Sequence, residues 1–191
     1  MDILIISPVA RIINAKSTYV GIERLAWEFA RELSKNHQIA IVAHADSEFP
    51  PGVRHIPYRI MEGQDDFWQS ELFAYEIYNK RLKEFDVIHD FSHQHWASRL
   101  NSRLPSLNLF WHAPAVAQFP KSPYNIVALS KWAESEFRRV YRQEARYIDS
   151  IIIDLQVYKP SSRAKTDRFL ILGVMSPHKG NLEAIRLCKQ S

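Results

Sequence analysis

Asp2-Ile3-Leu4-Ile5-Ile6-Ser7 opens the chain with an unbroken apolar run of strand length. A strand with one wet face alternates polar and apolar residues, whereas a parallel strand covered by helices on both faces is apolar throughout. A polar loop follows, Pro8 to Gly21. Then Ile22, Leu25, Ala26, Phe29 and Leu33 recur at i, i+3, i+4, i+7 and i+11. That spacing predicts an amphipathic helix of about four turns, stopped near Asn36-His37. Gln38 to His44 (QIAIVAH) is again apolar and predicts a second buried strand. Strand, loop, helix and strand in this order begin a doubly wound α/β sheet, mainly parallel and Rossmann-like.

The rest of the chain continues the pattern. A third strand is expected near Arg54 to Tyr58, then a helical stretch from about Asp66 to Glu84 with Phe67, Leu72, Phe73, Ile77 and Leu82 as its apolar side. Asp86 to Phe91 (DVIHDF), Leu107 to His112 (LNLFWH) and Asn125 to Leu129 (NIVAL) read as strands. Ser130 is placed to cap a helix running through Tyr141, with Glu134 in its first turns. Ile148 to Ile153 predicts a further short strand. The polar stretch Lys159 to Asp167, containing Pro160, reads as an interdomain linker. Arg168 to Val174 (RFLILGV) then predicts a buried strand, and Asn181 to Gln190 a helix. The expected organisation is a domain over 1–160, and over 161–191 a linker with the first strand and helix of a second domain.

Composition narrows the function classes. The chain has 191 residues, 46% hydrophobic and 24% charged, with one cysteine, Cys188, so an internal disulfide is excluded. The apolar opening is too short for a signal peptide and carries no basic leader, and no run approaches the roughly 18 apolar residues that span a bilayer. The expectation is a cytoplasmic protein, at most peripheral to a membrane. A net charge of +4 suits anionic substrates. No dense Lys/Arg run interleaved with aromatics points to nucleic acid.

In an open parallel sheet, ligands bind beyond the carboxyl ends of the strands, where strand order reverses. That rule brings together three distant segments: Tyr19 to Arg24, His89-Asp90, and His112-Ala113-Pro114. Gly21 begins the first helix, where a missing Cβ lets a ligand approach backbone N–H groups at a positive helix end; the alternative is a turn glycine. No G-x-G-x-x-G is present, which argues against a dinucleotide site. His112 leaves a strand two residues before Pro114, placed to hydrogen-bond a sugar hydroxyl or a developing charge, or else to serve the core. His89, Asp90, His93 and His95 crowd together, but their spacing argues only weakly for a metal, since His89 and Asp90 point to opposite faces of a strand.

These segments, taken in order, resemble glycosyltransferase family 4, whose members have the two-domain GT-B fold. Val20-Gly21-Ile22-Glu23-Arg24 is similar to its G-G-x-E-R loop, Asp86-Val87-Ile88-His89 to its D-V-[IV]-H strand, and Trp111-His112-Ala113-Pro114 to its T-x-H-x-P strand end. Ala128-Leu129-Ser130 matches A-x-S before a helix, Ile151 to Pro160 the N-G-[IV]-D-x-x-x-[FY]-x-P segment, and Gly173 to Gly180 the G-R-x-x-x-x-K-G segment. The resemblance implies the acceptor-side half of a GT-B enzyme, a nucleotide-sugar as donor substrate with no other cofactor and no metal, and retention of anomeric configuration. It implies that His112 sits beside the transferred sugar as the catalytic residue. Gly21, Glu23, His89, Ser130 and Lys179 would bind donor or acceptor, Lys179 by neutralising the diphosphate.

Val20 stands where the family has glycine, Val174 where it has arginine, and the E-x7-E segment that the family has in its donor domain does not follow Gly180 by Ser191. The chain by itself is therefore expected to be inactive. The alternative is a degenerate binding module that dimerises through apolar surface at Phe169 to Leu172. The partners expected are a nucleotide-sugar, a carbohydrate or lipid-linked acceptor and, through Lys131, Arg138, Arg139 and Arg142, an anionic membrane surface. Glu134, Glu136 and Glu144 dilute that charge, which leaves a plain solvated face as the other reading.

Overall fold

The computed structural model describes residues 1–9, 11–16, 21–59, 67–101, 103–110, 125–147, 159, 169–171 and 179–189. The chain divides into two units, Met1–Ile152 and Ile153–Ser191. In the first, β1 (Asp2–Ile6), β2 (Gln38–His44), β3 (Val53–Tyr58), β4 (Val87–Asp90), β5 (Ser106–Phe110), β6 (Ile126–Ala128) and β7 (Arg146–Tyr147) form one sheet in the order β3-β2-β1-β4-β5-β6-β7. Every pairing is parallel. Winding outward in both directions from β1 and β4 makes this the Rossmann-like, doubly wound sheet expected from the opening strand–helix–strand unit.

The alternation of side chains along β1 explains why its whole run is apolar. Ile3 and Ile5 face one layer, with Ala26, Trp27 and Ala30 of α1 (Gly21–Leu33). Leu4 and Ile6 face the other, with Ala74 and Tyr78 of α2 (Phe67–Tyr78) and Leu82 of the 3-10 helix Asn79–Glu84. A polar residue at any of these four positions would be buried on one side or the other. A smaller cluster joins Ile126 and Ala128 of β6 to Phe137 of α4 (Lys131–Tyr141).

α2 corrects the expected helix in two ways. It passes into a 3-10 segment at Asn79 rather than continuing as α-helix to Glu84. Its buried face is Ser70, Glu71, Ala74 and Tyr78, while Leu72, Phe73 and Ile77, expected inside, are exposed. The side chain of Phe67 lies outside the described residues. Hydrophobicity alone would have turned the helix the other way; the hydrogen bonds of Glu71, given below, set its rotation. A short helix that the sequence pattern missed, α3 (Trp96–Leu100), follows β4. The strand expected over Ile148 to Ile153 lies outside the described residues, and β7 precedes it.

In the second unit α5 (Asn181–Cys188) forms where a helix was expected. Phe169, Leu170 and Ile171, three residues of the expected buried strand, are exposed and in neither helix nor strand. An extended segment becomes a strand only by pairing, and among the described residues of this unit no strand lies beside it. No helix of the described residues is long and apolar enough to cross a membrane.

Ser130 caps α4 as expected. Its backbone is extended, and its hydroxyl accepts a hydrogen bond from the Ala133 N–H at 3.0 Å. Ser130→Ala is expected to lower the free energy of unfolding by about 1 kcal/mol, and Ser130→Asp to hold it within about 0.5 kcal/mol of the wild type, measured by urea unfolding.

Candidate functional site

The reversal of winding lies between β1 and β4, whose register pairs Ile6 with Asp90. At the carboxyl edge of this pair the chain continues as Ser7-Pro8-Val9 on one side and Phe91-Ser92 on the other, all buried. Ser7 N–H donates to Val42 O at 3.0 Å and Phe91 N–H to Ile6 O at 2.8 Å, so the ladder extends past both strand ends. β5 runs parallel to β4, and its last residue, Phe110, is therefore at the same edge. His112, two residues further on, lies outside the described residues, as do Tyr19, Val20 and Pro114.

α1 starts on this rim. Gly21 is its first residue and is exposed; among the described residues a Cβ added there meets nothing within 4 Å. Glu23, in the same turn, is buried. Arg24 fixes the approach to the helix: its guanidinium pairs with Glu28 at 2.6 Å and donates to Ala15 O at 2.7 Å. The Trp27 indole N–H donates to Glu48 O at 3.0 Å. Ile13 N–H donates to the Ser47 hydroxyl at 3.0 Å, and Glu48 N–H to Ile13 O at 2.8 Å. The loop after β1 is thus tied to the loop after β2 as well as to its own helix.

His89 and Asp90 do point to opposite faces. His89 is buried on the α1 side, its ring 5.0 Å from Phe29 in an edge-to-face arrangement and 4.3 Å from Phe91. Burial pulls its pKa down to about 4, with the neighbouring Asp90 opposing the shift weakly. The imidazole is therefore neutral at pH 7 and serves as part of the aromatic floor beneath the rim.

On the other face a polar network, which no periodicity announced, fills the space between β4, α2 and α3. Asp90 is fully buried. Its Oδ1 accepts from the Ser92 N–H at 2.8 Å and the Ser92 hydroxyl at 2.6 Å, and Ser92 Oγ accepts from the His95 N–H at 3.1 Å. His95 Nδ1 is 3.6 Å from the same Oδ1. Asp90 Oδ2 has no hydrogen-bond partner among the described residues. Glu71, 2% exposed on α2, accepts from the His93 N–H at 2.8 Å and the Gln94 N–H at 2.7 Å, and His93 Nδ1 stands 3.1 Å away. One carboxylate thereby holds the backbone of the loop after β4. Tyr58 and Tyr78 both have phenols pushed far above their ordinary range, first by burial. Glu71 acts on both, Asp90 on Tyr78 and Glu23 on Tyr58. No sequence signal singled out this network: α2 holds a second acid, Glu76, and several polar residues besides Glu71.

The crowd of His89, Asp90, His93 and His95 is thus split between two faces, and among the described residues no group of three or more His, Cys, Asp or Glu side chains is disposed to hold a metal ion. Of the remaining expected site residues, Ser130 spends its hydroxyl on the α4 cap. Lys179 is exposed in the second unit, immediately before Gly180 and α5.

Two measurements check this arrangement. Glu71→Ala strands two backbone N–H donors and is expected to cost about 3 kcal/mol in denaturant unfolding, with faster hydrogen exchange at His93 and Gln94; Glu71→Gln should cost less. His89 has a folded pKa below its unfolded value, so the unfolded chain binds more protons between about pH 4 and the ordinary histidine value of 6.5. Its contribution is fully present above that window and is lost as pH falls through it, amounting to up to about 3 kcal/mol. His89→Phe is expected to flatten the fall in thermal stability between pH 7 and pH 5.

No protein-family model matches this chain. No curated protein matches it either.

Proposed function

We propose that this chain is the acceptor-side domain of a retaining glycosyltransferase, which takes a sugar from a nucleotide-sugar and passes it to a carbohydrate or lipid-linked acceptor. The observation that supports it most is the meeting, at one edge of a parallel sheet, of the α1 start at Gly21, the β4 end at Asp90 and the β5 end that leads to His112. These are the segments whose ordered motifs resemble glycosyltransferase family 4. Glycosyl transfer leaves negative charge on the departing diphosphate and positive charge on the sugar ring. Donors aimed at the first and a hydrogen-bonding group beside the second lower the barrier. In this reading the N–H groups at the positive start of α1 serve the diphosphate, and the His112 imidazole serves the sugar. Gly21 leaves room for that approach. The rings of His89, Phe29 and Phe91 hold the floor.

A second reading, a transferase-like binding module without catalysis, is favoured by Val20 and Val174, where the family has a glycine and an arginine.

Titration of UDP-, GDP- and ADP-sugars against the chain, followed by ligand-observed NMR, separates the two. The transferase reading expects binding at millimolar concentration or tighter. Gly21→Ala and His112→Ala should each weaken it by roughly tenfold, about 1.4 kcal/mol, while Gly21→Ala leaves the unfolding midpoint unchanged. Absence of binding by every nucleotide-sugar, or indifference to both substitutions, would overturn a working donor site on this chain in favour of the module or of an incomplete enzyme.

A further inference from the structure

Among the described residues of the carboxyl rim, Trp132 is a large aromatic side chain for which the fold has no use. Trp132 stands in the first turn of α4, four residues after the end of β6, and is 61% exposed. Two other tryptophans show how this chain fixes an indole. Trp27 is buried, hydrogen-bonded to Glu48 O, with the Arg24 guanidinium 4.8 Å from its ring centre. Trp96 lies under the Arg99 guanidinium at 4.7 Å. Trp132 has no hydrogen bond, ring contact or cation over its face among the described residues. The inner face of α4 is made instead by Ala133, Phe137 and Tyr141.

The position is rigid as well as open. The Ser130 cap fixes the turn that carries Trp132, and Phe137, 1% exposed, anchors the helix one turn on. A preorganised aromatic loses little conformational entropy on binding. Lys131, next to it in sequence, is exposed and has no partner among the described residues, and its ammonium brings three hydrogen-bond donors to the same turn. A flat apolar face beside freely placed donors suits a ligand that is itself apolar on one face and rich in hydroxyls at its edge, which describes a pyranose ring. A lipid surface fits less well. Arg138 and Arg139 of the same helix are tied to Glu144 and Glu136 at 2.9 and 2.7 Å, which neutralises two of the four basic charges that anionic lipid would use. A protein partner would call for a wider apolar patch than a lone indole provides.

Building on the transferase reading, we propose that Trp132 is the stacking platform for a pyranose of the acceptor, and so a specificity-determining residue of a carbohydrate-accepting site. The test uses saturation-transfer NMR of the whole chain with maltotriose, mannotriose, cellotriose and chitotriose, alongside the nucleotide-sugar panel. At least one trisaccharide should bind, with saturation strongest on the C–H protons of one ring face. Trp132→Ala should weaken that binding about tenfold, in the range of aromatic stacking, and Trp132→Phe by no more than about threefold. Nucleotide-sugar affinity and the unfolding midpoint should not change in either variant. If nucleotide-sugar binds but no trisaccharide does, or if Trp132→Ala leaves trisaccharide binding intact, the platform is overturned and the transferase reading stands. If no nucleotide-sugar binds, the reading on which the platform rests has failed. Loss in Trp132→Ala of binding to vesicles of mixed neutral and anionic lipid, with trisaccharides inert, would assign the indole to a membrane instead and overturn the proposal.

Discussion

Between β1 and β4 the sheet changes its direction of winding, and the parallel register from Ile3 with Val87 to Ile6 with Asp90 closes that seam. Asp2 and Asp86, 84 residues apart, exchange hydrogen bonds at its base: Asp2 N–H donates to Asp86 Oδ2, and Asp86 N–H to Asp2 O, both at 2.8 Å. Non-local parallel pairing carries a large loop-closure cost before any contact rewards it. The reward comes from burial on both faces at once, through Ile3 and Ile5 beneath α1 and Leu4 and Ile6 beneath α2. Once the seam is closed, the directions of all the other strands follow, and with them the single edge to which the loops after β1, β4 and β5 are delivered.

The two sides of that edge are supported by different means. On the α1 side the support is aromatic: Phe29, His89 and Phe91 pack ring against ring, with the histidine held neutral by burial. On the α2 side it is polar and charged, with Glu71 and Asp90 binding the backbone of residues 92–94. A buried carboxylate is expensive unless its oxygens are occupied, and Glu71 occupies both of its own with backbone N–H groups. Those bonds hold the loop after β4 in one conformation, including the left-handed backbone of His95 at φ 49°. They also require the polar side of α2 to face inward, and Leu72, Phe73 and Ile77 to face out.

This explains which parts of the molecule were legible in the sequence. Strands buried on both faces carry their own label, so Gln38–His44 and the opening run could be read to within a residue. The Ser130 cap was legible because its chemistry is local: hydroxyl, extended backbone, helix. α2 was misread because its rotation is fixed by hydrogen bonds to residues some 22 positions away, a constraint to which hydrophobic periodicity is blind. α3 is five residues long and too short to show a period. Of the candidate site, the convergence of segments was legible from the parallel-sheet rule alone. The division of the histidine crowd followed from strand alternation. The Glu71 and Asp90 network was not legible, since nothing in sequence marks a carboxylate whose partners are backbone.

Gly21 and Gly180 make an instructive contrast. Gly180 has φ 68° and sits in the left-handed region, so the backbone itself calls for glycine there. Gly21 is outside the positive-φ glycines, begins a helix, and among the described residues has nothing within 4 Å of where a Cβ would go. Helix starts favour Ser, Thr, Asp and Asn at least as strongly as glycine, so neither the conformation nor the packing of the described residues requires glycine here. What a missing side chain leaves at that point is clear space before the N–H groups of the first turn, on the rim where the winding reverses. In the proposed transferase reading, that space is where the donor diphosphate approaches the helix. That argument applies to Gly21 and not to the turn glycine Gly52, whose φ of 88° is sufficient reason for it.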